Sequence, residues 1–162
     1  MTERTQKNIL PEGLLSGEAT LEERMPKQVQ PWLKNQVKDG YFRSWDGSRI
    51  HYLSAVHPRE RAAVVFSHGF CEFSGKYHEM MYYFYQMGYS VFFMEHRGHG
   101  FSRRFLKDLH KVYVKSYQEY VKDLHVFVDG LVKKRSKSGE LYLFAHSMGG
   151  AIGALFWGEY PE

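Results

Sequence analysis

Cysteine is almost absent from this 162-residue chain: Cys71 stands alone, which excludes an intrachain disulfide and removes the thiolate pairs on which structural zinc sites are built. No apolar run approaches the roughly 20 residues a helix needs to cross a bilayer, and the opening MTERTQKNILPEG lacks the apolar stretch of a secretory leader. A cytoplasmic protein is expected, with peripheral contact on the inner face of the membrane left open. A strong excess of one charge is missing too. Twenty-two Lys and Arg against 18 Asp and Glu give +4, too little to argue for a nucleic-acid partner. The cluster Lys133, Lys134, Arg135 and Lys137 reads as the solvated last turn of a helix, where cations suit the macrodipole, ahead of a headgroup contact.

What is present is material for a core: 43% hydrophobic and 17% aromatic residues suffice for one domain of this length. Residues 1–36 are polar, carry Pro11, Pro26 and Pro31, and hold no sustained period. They read as a loosely structured arm with at most a short helix near Leu21 to Met25. The domain occupies residues 37–162. It opens with two β-rich segments, Asp39 to Trp45 and Ser48 to Val56, joined by Asp46-Gly47, a strong hairpin signal.

From residue 61 the pattern changes. AAVVFSH (62–68), SVFFM (90–94) and LYLFA (141–145) are short apolar runs of the kind expected in strands buried on both faces. Between them, Tyr77, Met80, Met81, Phe84 and Tyr85 recur at helical spacing up to Gly88, and Tyr117 to Val132 carries the apolar face of a longer helix. A further helix is predicted over Met148 to Tyr160. Strands alternating with helices imply right-handed crossovers and a mostly parallel, helix-covered sheet, an α/β fold with an N-terminal antiparallel hairpin. Ligand sites on such sheets lie beyond the carboxyl ends of the strands. The unusual clusters fall there: SHGFCE, EHRGHGFS and HSMGG.

Ser147 is the candidate nucleophile. A serine hydroxyl becomes reactive when a sharp strand-to-helix turn projects it toward a base, and such a turn needs small residues two positions either side. Ala145 and Gly149 meet that need, in the pattern A-H-S-M-G rather than G-x-S-x-G. The other reading makes Ser147 a helix cap and Gly149-Gly150 a close-packing device, and the motif alone does not decide between them. The neighbouring strand ends favour the nucleophile. His68-Gly69-Phe70 is placed where an oxyanion hole needs a backbone amide, so the expected donors are the amides of Phe70 and Met148. His68 could act as a base, but a histidine at a tight strand end more often fixes its loop, and that role is preferred. Glu95, His96, His99 and His110 invite a metal reading, yet their spacing forms no preformed ligand pair; no metal or organic cofactor is expected. Arg97 to Gly100 reads as a rigid loop beside the pocket, with Arg97 and His99 as supports. Cys71 lacks the helix-start context of a reactive thiol and reads as a small side chain.

VVFSHGFCEFSGKY, VFFMEHRGHGFS, the helix containing YVKDL, and FAHSMGGAIGALF together resemble the α/β-hydrolase superfamily, from about residue 40 to 162. Within it they are most similar to the monoacylglycerol lipase and bacterial lysophospholipase branch, whose string H-G-x-x-E-x-S-x-x-Y appears here as His68, Gly69, Glu72, Ser74 and Tyr77. The resemblance implies a serine ester hydrolase acting on a single-acyl lipid, with Ser147 as nucleophile, Phe70 and Met148 amides as oxyanion donors, and Gly69, Glu72, His146 and Gly149 as supports. Cys71 stands where the branch usually has glycine, and Glu95 where it usually has aspartate. In this superfamily the acid and the histidine follow the serine, whereas MGGAIGALFWGEYPE contains no histidine. The chain is therefore expected to be the N-terminal part of a longer hydrolase, ending after the helix that follows Ser147 and inactive alone, with LYLFA left as an open apolar edge. Another hydrolase activity, amide-cleaving or haloperoxidase-like, and a non-catalytic module remain as alternatives.

Overall fold

The computed structural model describes residue 11 and residues 13–161. Three short apolar runs become β3 (Ala63–Ser67), β4 (Ser90–Met94) and β5 (Leu141–Ala145), behind an opening hairpin of β1 (Lys38–Arg43) and β2 (Arg49–Ala55). The hairpin turns as Asp46-Gly47 requires. Gly47 adopts φ +78°, and the Ser44 amide donates to the Ser48 carbonyl at 2.9 Å. The strands form one sheet in the order β1-β2-β4-β3-β5; β1-β2 and β2-β4 are antiparallel, while β3 pairs in parallel with both β4 and β5.

Helices cover both faces. One face of the sheet packs Ile50, Val65, Phe92 and Met94 against α4 (Gln118–Phe127), the wider π-helical turn that continues it (Val128–Val132), and Ile152 of α6 (Met148–Glu159). That π-helical segment passes into the short α5 (Lys133–Arg135), so the long helix read from the sequence is built as three successive segments, α, π and α. The other face packs Leu53, Val64, Phe66 and Phe93 against Met81 and Tyr85 of α3 (His78–Gln86). Because successive strand residues point to opposite faces, β3 and β4 are buried along their whole length, which is why they read as continuous apolar runs.

The N-terminal segment differs from the arm expected over residues 1–36. Residues 1–10 and 12 lie outside the described residues, but α1 (Glu18–Arg24), a π-helical turn (Met25–Val29) and α2 (Gln30–Gln36) run on as one helical stretch. Pro26 lies inside the π-helical turn, where its missing N–H and its ring are accommodated by the wider winding. Trp32 seals the stretch against α3: it is buried, and its ring meets Tyr82 at 5.6 Å and Tyr85 at 5.4 Å. Apolar residues as sparse as Val29 and Trp32 give no visible period, so the sequence pattern under-read this helix.

At the other edge β5 has one neighbour, β3, among the described residues. Tyr142 is 57% exposed, and Leu143 and Phe144 are half-buried. This is the open apolar edge that the sequence led one to expect.

Candidate active site

Ser147 sits between β5 and α6 with φ +52° and ψ −119°. Only Cys71 and Ser147 among the described non-glycine residues have positive φ, a strained geometry that persists only where the surroundings impose it. Here the imposition is visible. The His146 amide donates to the Ser67 carbonyl at 3.1 Å, holding the end of β5 to β3, and a Cβ at position 149 would overlap that same carbonyl. Only glycine lets the start of α6 come so close, and the chain must then turn sharply at Ser147, whose side chain is left exposed. The Tyr117 hydroxyl braces the turn from α4's side by donating to the Met148 carbonyl at 3.0 Å.

The loop after β3 is held by Glu72. Its carboxylate accepts from the Gly69 amide at 2.6 Å, from the Tyr77 hydroxyl at 2.6 Å and from His146 Nδ1 at 3.1 Å, so it ties the β3 loop to the Ser147 turn. Burial acts to raise its pKa, but the bonds from Tyr77, Gly69 and His146 prevail and hold it at about 2. With Gly69 occupied, the next amide along is that of Phe70. Neither it nor the Met148 amide, at the first position of α6, has a hydrogen-bond partner among the described residues.

His68 is fully buried, and both ring nitrogens are in use. Nε2 lies 2.9 Å from the His96 amide, which can only donate, so Nδ1 carries the proton and donates to the Gly69 carbonyl at 2.7 Å. Burial pushes its pKa down to about 4. A neutral imidazole with no free nitrogen fixes its loop and has nothing to offer Ser147 as a base.

The loop after β4 is pinned by two charged centres. Glu95, fully buried, accepts from the Ser74 amide at 2.9 Å, from the Phe101 amide at 2.6 Å and from His51 Nδ1 at 2.9 Å. Burial favours its neutral form, yet His51, Ser74 and Phe101 hold its pKa at about 2. His51 in turn reaches Asp39 at 2.9 Å; burial lowers its pKa, and the two carboxylates more than offset this and raise it. Gly100, at φ +48°, wraps the carboxylate so tightly that a Cβ there would occupy the same space.

Arg97 supports its loop from a buried position. It is fully buried, with a bidentate pair to Asp123 at 2.6 Å and 2.6 Å and further contacts to Asp46 at 3.1 Å and Glu119 at 3.0 Å. This network joins the hairpin turn and α4 to the β4 loop. His96 Nε2 meets Ser67 Oγ at 3.0 Å and His99 Nδ1 donates to the Arg97 carbonyl at 3.1 Å, so Glu95, His96 and His99 direct their polar atoms to different partners. Cys71 is exposed in the same rim, at φ +58°.

A turn of this kind, on a sheet of this order, has a known context. The family model described as serine aminopeptidase, S33, matches residues 58–162. The chain belongs to this hydrolase family. Lysophospholipase L2 of Escherichia coli is 39% identical over 126 residues, a match covering 78% of this chain and 37% of that protein. Monoacylglycerol lipase of Mycolicibacterium smegmatis is 34% identical over 101 residues, covering 62% and 34%. Among solved structures, an esterase of Pyrococcus furiosus superposes with a TM-score of 0.64 at 18% identity, covering 85% of this chain and 50% of that one. At that identity the likeness establishes the α/β-hydrolase fold. The chain spans a little over a third of the length of the curated relatives it matches.

For this S33 hydrolase chain, Asp123, Tyr117 and the His51–Asp39 pair were not singled out from the sequence. Asp123 had left a signal, a lone acid among Tyr120, Val121, Leu124 and Phe127 on the buried face of α4. A buried acid there needs a cation, and Arg97 is that cation. Tyr117 reads in the sequence as the start of an apolar helix face and Asp39 as the start of a strand, and neither position by itself reveals a partner 31 or 12 residues away.

Proposed function

We propose that the protein is a serine ester hydrolase of the lysophospholipase and monoacylglycerol lipase type, cleaving a single-acyl lipid ester through an acyl-enzyme on Ser147. The observation that carries the reading is the φ +52° conformation of Ser147, taken with two uncommitted amides, that of Phe70 in the loop after β3 and that of Met148 at the start of α6. Ser147 Oγ attacks the ester carbonyl and loses its proton to a base. The carbonyl oxygen, now negative, is stabilised by the Phe70 and Met148 amides, and the macrodipole of α6 favours charge at its start. Collapse expels the alcohol, which takes up the proton, and water then releases the fatty acid from the serine. The names of the relatives in Escherichia coli and Mycolicibacterium smegmatis support a lipid ester as the substrate.

Residues 148–162 hold no histidine, and His68 has no free nitrogen. The 162 residues alone are therefore expected to turn over esters negligibly, since acylation without its imidazole falls by several orders of magnitude. A fluorophosphonate probe applied to the protein at its full encoded length should label Ser147. Labelling that survives Ser147→Ala overturns the assignment.

A second reading, favoured by the family's description as serine aminopeptidases, is amide cleavage at the same serine. A panel of lysophosphatidylcholine, monoacylglycerol and aminoacyl amides separates the two by kcat/KM.

A further inference from the structure

Large apolar side chains left in water are unusual when they gather on one surface. Here they gather at the carboxyl ends of the parallel strands. Phe70 and Phe73 project from the loop after β3, and Phe101, Phe105, Leu106 and Leu109 from the loop after β4; all six are exposed. The two loops face each other across a cleft of about 270 Å³ lined by Cys71, Phe73, Leu109 and His110, and the rings of Phe70 and His99 meet at 5.6 Å. The apolar tips thus form one rim, next to the Ser147 turn through Glu72 and His146.

The same rim is basic. Residues 101–116 carry Arg103, Arg104, Lys107, Lys111 and Lys115 against a single acid, Asp108. Only Lys111 has a carboxylate partner among the described residues, Asp108 at 3.6 Å. Arg103 stacks over Phe105 with 5.2 Å to the ring centroid, so a cation and an apolar ring share one footprint. Elsewhere on the chain, cations of the buried network are fully neutralised, as Arg97 is by Asp46, Glu119 and Asp123. The loop after β4 instead combines unneutralised Lys and Arg with aromatic and leucine tips, the composition that binds the headgroup boundary of a bilayer.

We infer that this rim is a docking surface for an anionic phospholipid bilayer, with Phe101, Phe105, Leu106 and Leu109 entering the headgroup boundary and Arg103, Arg104, Lys107 and Lys115 meeting lipid phosphates. Long cationic side chains suit this, because their stems lie along apolar surface while their heads reach the phosphates. Charge complementarity selects the lipid: with five cations and one acid, the segment is repelled by cationic surfaces and gains little from zwitterionic ones. The arrangement would set the mouth of the Ser147 site against the surface where a single-acyl lipid resides. The inference rests on the lipid-hydrolase reading for its biological sense. The measurement that tests it involves no turnover, so it fails separately from the nucleophile assignment.

The test is co-sedimentation of the 162-residue chain with phosphatidylcholine vesicles containing about 30% phosphatidylglycerol, compared with pure phosphatidylcholine. All samples carry Tyr142→Glu so that the open β5 edge does not drive association. Strong partitioning onto the anionic vesicles is expected, falling steeply as salt is raised. Phe101→Ser with Leu109→Ser, and separately Arg104→Glu with Lys107→Glu, should each weaken it by about tenfold or more. Lys134→Glu with Lys137→Glu, the same charge change at the opposite end of the sheet, should leave it within about twofold. Equal binding to both vesicle types, rim variants that bind like the parent, or no vesicle binding because the rim packs only against protein would each overturn the proposal.

Discussion

The Gly69 amide donates to the Glu72 carboxylate at 2.6 Å, so the first N–H of the loop after β3 is already committed. The next N–H along, that of Phe70, has no partner among the described residues. Glu72 therefore acts on the candidate oxyanion site through backbone placement, while its contact with His146 keeps the loop and the Ser147 turn together.

Replacing Glu72 with glutamine should expose this dependence. The amide side chain keeps the shape but loses the charge-assisted bonds to Gly69 and Tyr77, at a cost of about 1–3 kcal/mol. Urea denaturation monitored by fluorescence measures it. An unchanged midpoint would mean that the carboxylate's charge does not hold the loop.

The two glycines after Ser147 should respond oppositely to alanine. At Gly149 a Cβ meets the Ser67 backbone, which cannot move without parting β3 from α6, so Gly149→Ala is expected to cost about 3 kcal/mol or more. At Gly150 nothing lies within 4 Å, and alanine there should be neutral or stabilise the helix by up to about 1 kcal/mol. Denaturation midpoints of the two variants, run together, check both.

Stability should fall on mild acidification because of His68. Its folded pKa is about 4, pushed down by burial from the ordinary 6.5, so between those values the unfolded chain binds a proton that the folded chain refuses. The contribution is complete above pH 6.5 and declines as pH falls toward 4, by up to about 3 kcal/mol. Glu95, held at about 2 against an ordinary 4.5, adds a second loss only below pH 4.5. Urea midpoints at pH 7 and pH 5 should differ, and His68→Gln, which can keep one donor and one acceptor, should shrink the difference.

The open edge of β5 should make the 162-residue chain prone to association, because an unpaired strand with exposed apolar side chains is a template for pairing. Tyr142→Glu places a charge on that edge at a residue already 57% exposed. Static light scattering should show less aggregate at equal concentration. Equal scattering would locate the association elsewhere.

The elements that follow from local pattern were legible in the sequence. The hairpin at Asp46-Gly47, the three parallel strands and the helices after them lie within a few residues of expectation, since apolar runs and turn residues act over neighbouring positions. The A-H-S-M-G turn was legible for the same reason. What the sequence left open was every relation between residues distant along the chain. That Gly149 must be glycine is set by Ser67, 82 residues earlier. That Arg97 is buried is set by Asp123 on α4 and Asp46 in the hairpin, carboxylates that only folding places around it. The chain alone determined its strands, its helices and the candidate nucleophile at Ser147. The tertiary structure decided which amides stay free and which charges are buried, because each depends on groups that only folding brings within hydrogen-bond distance.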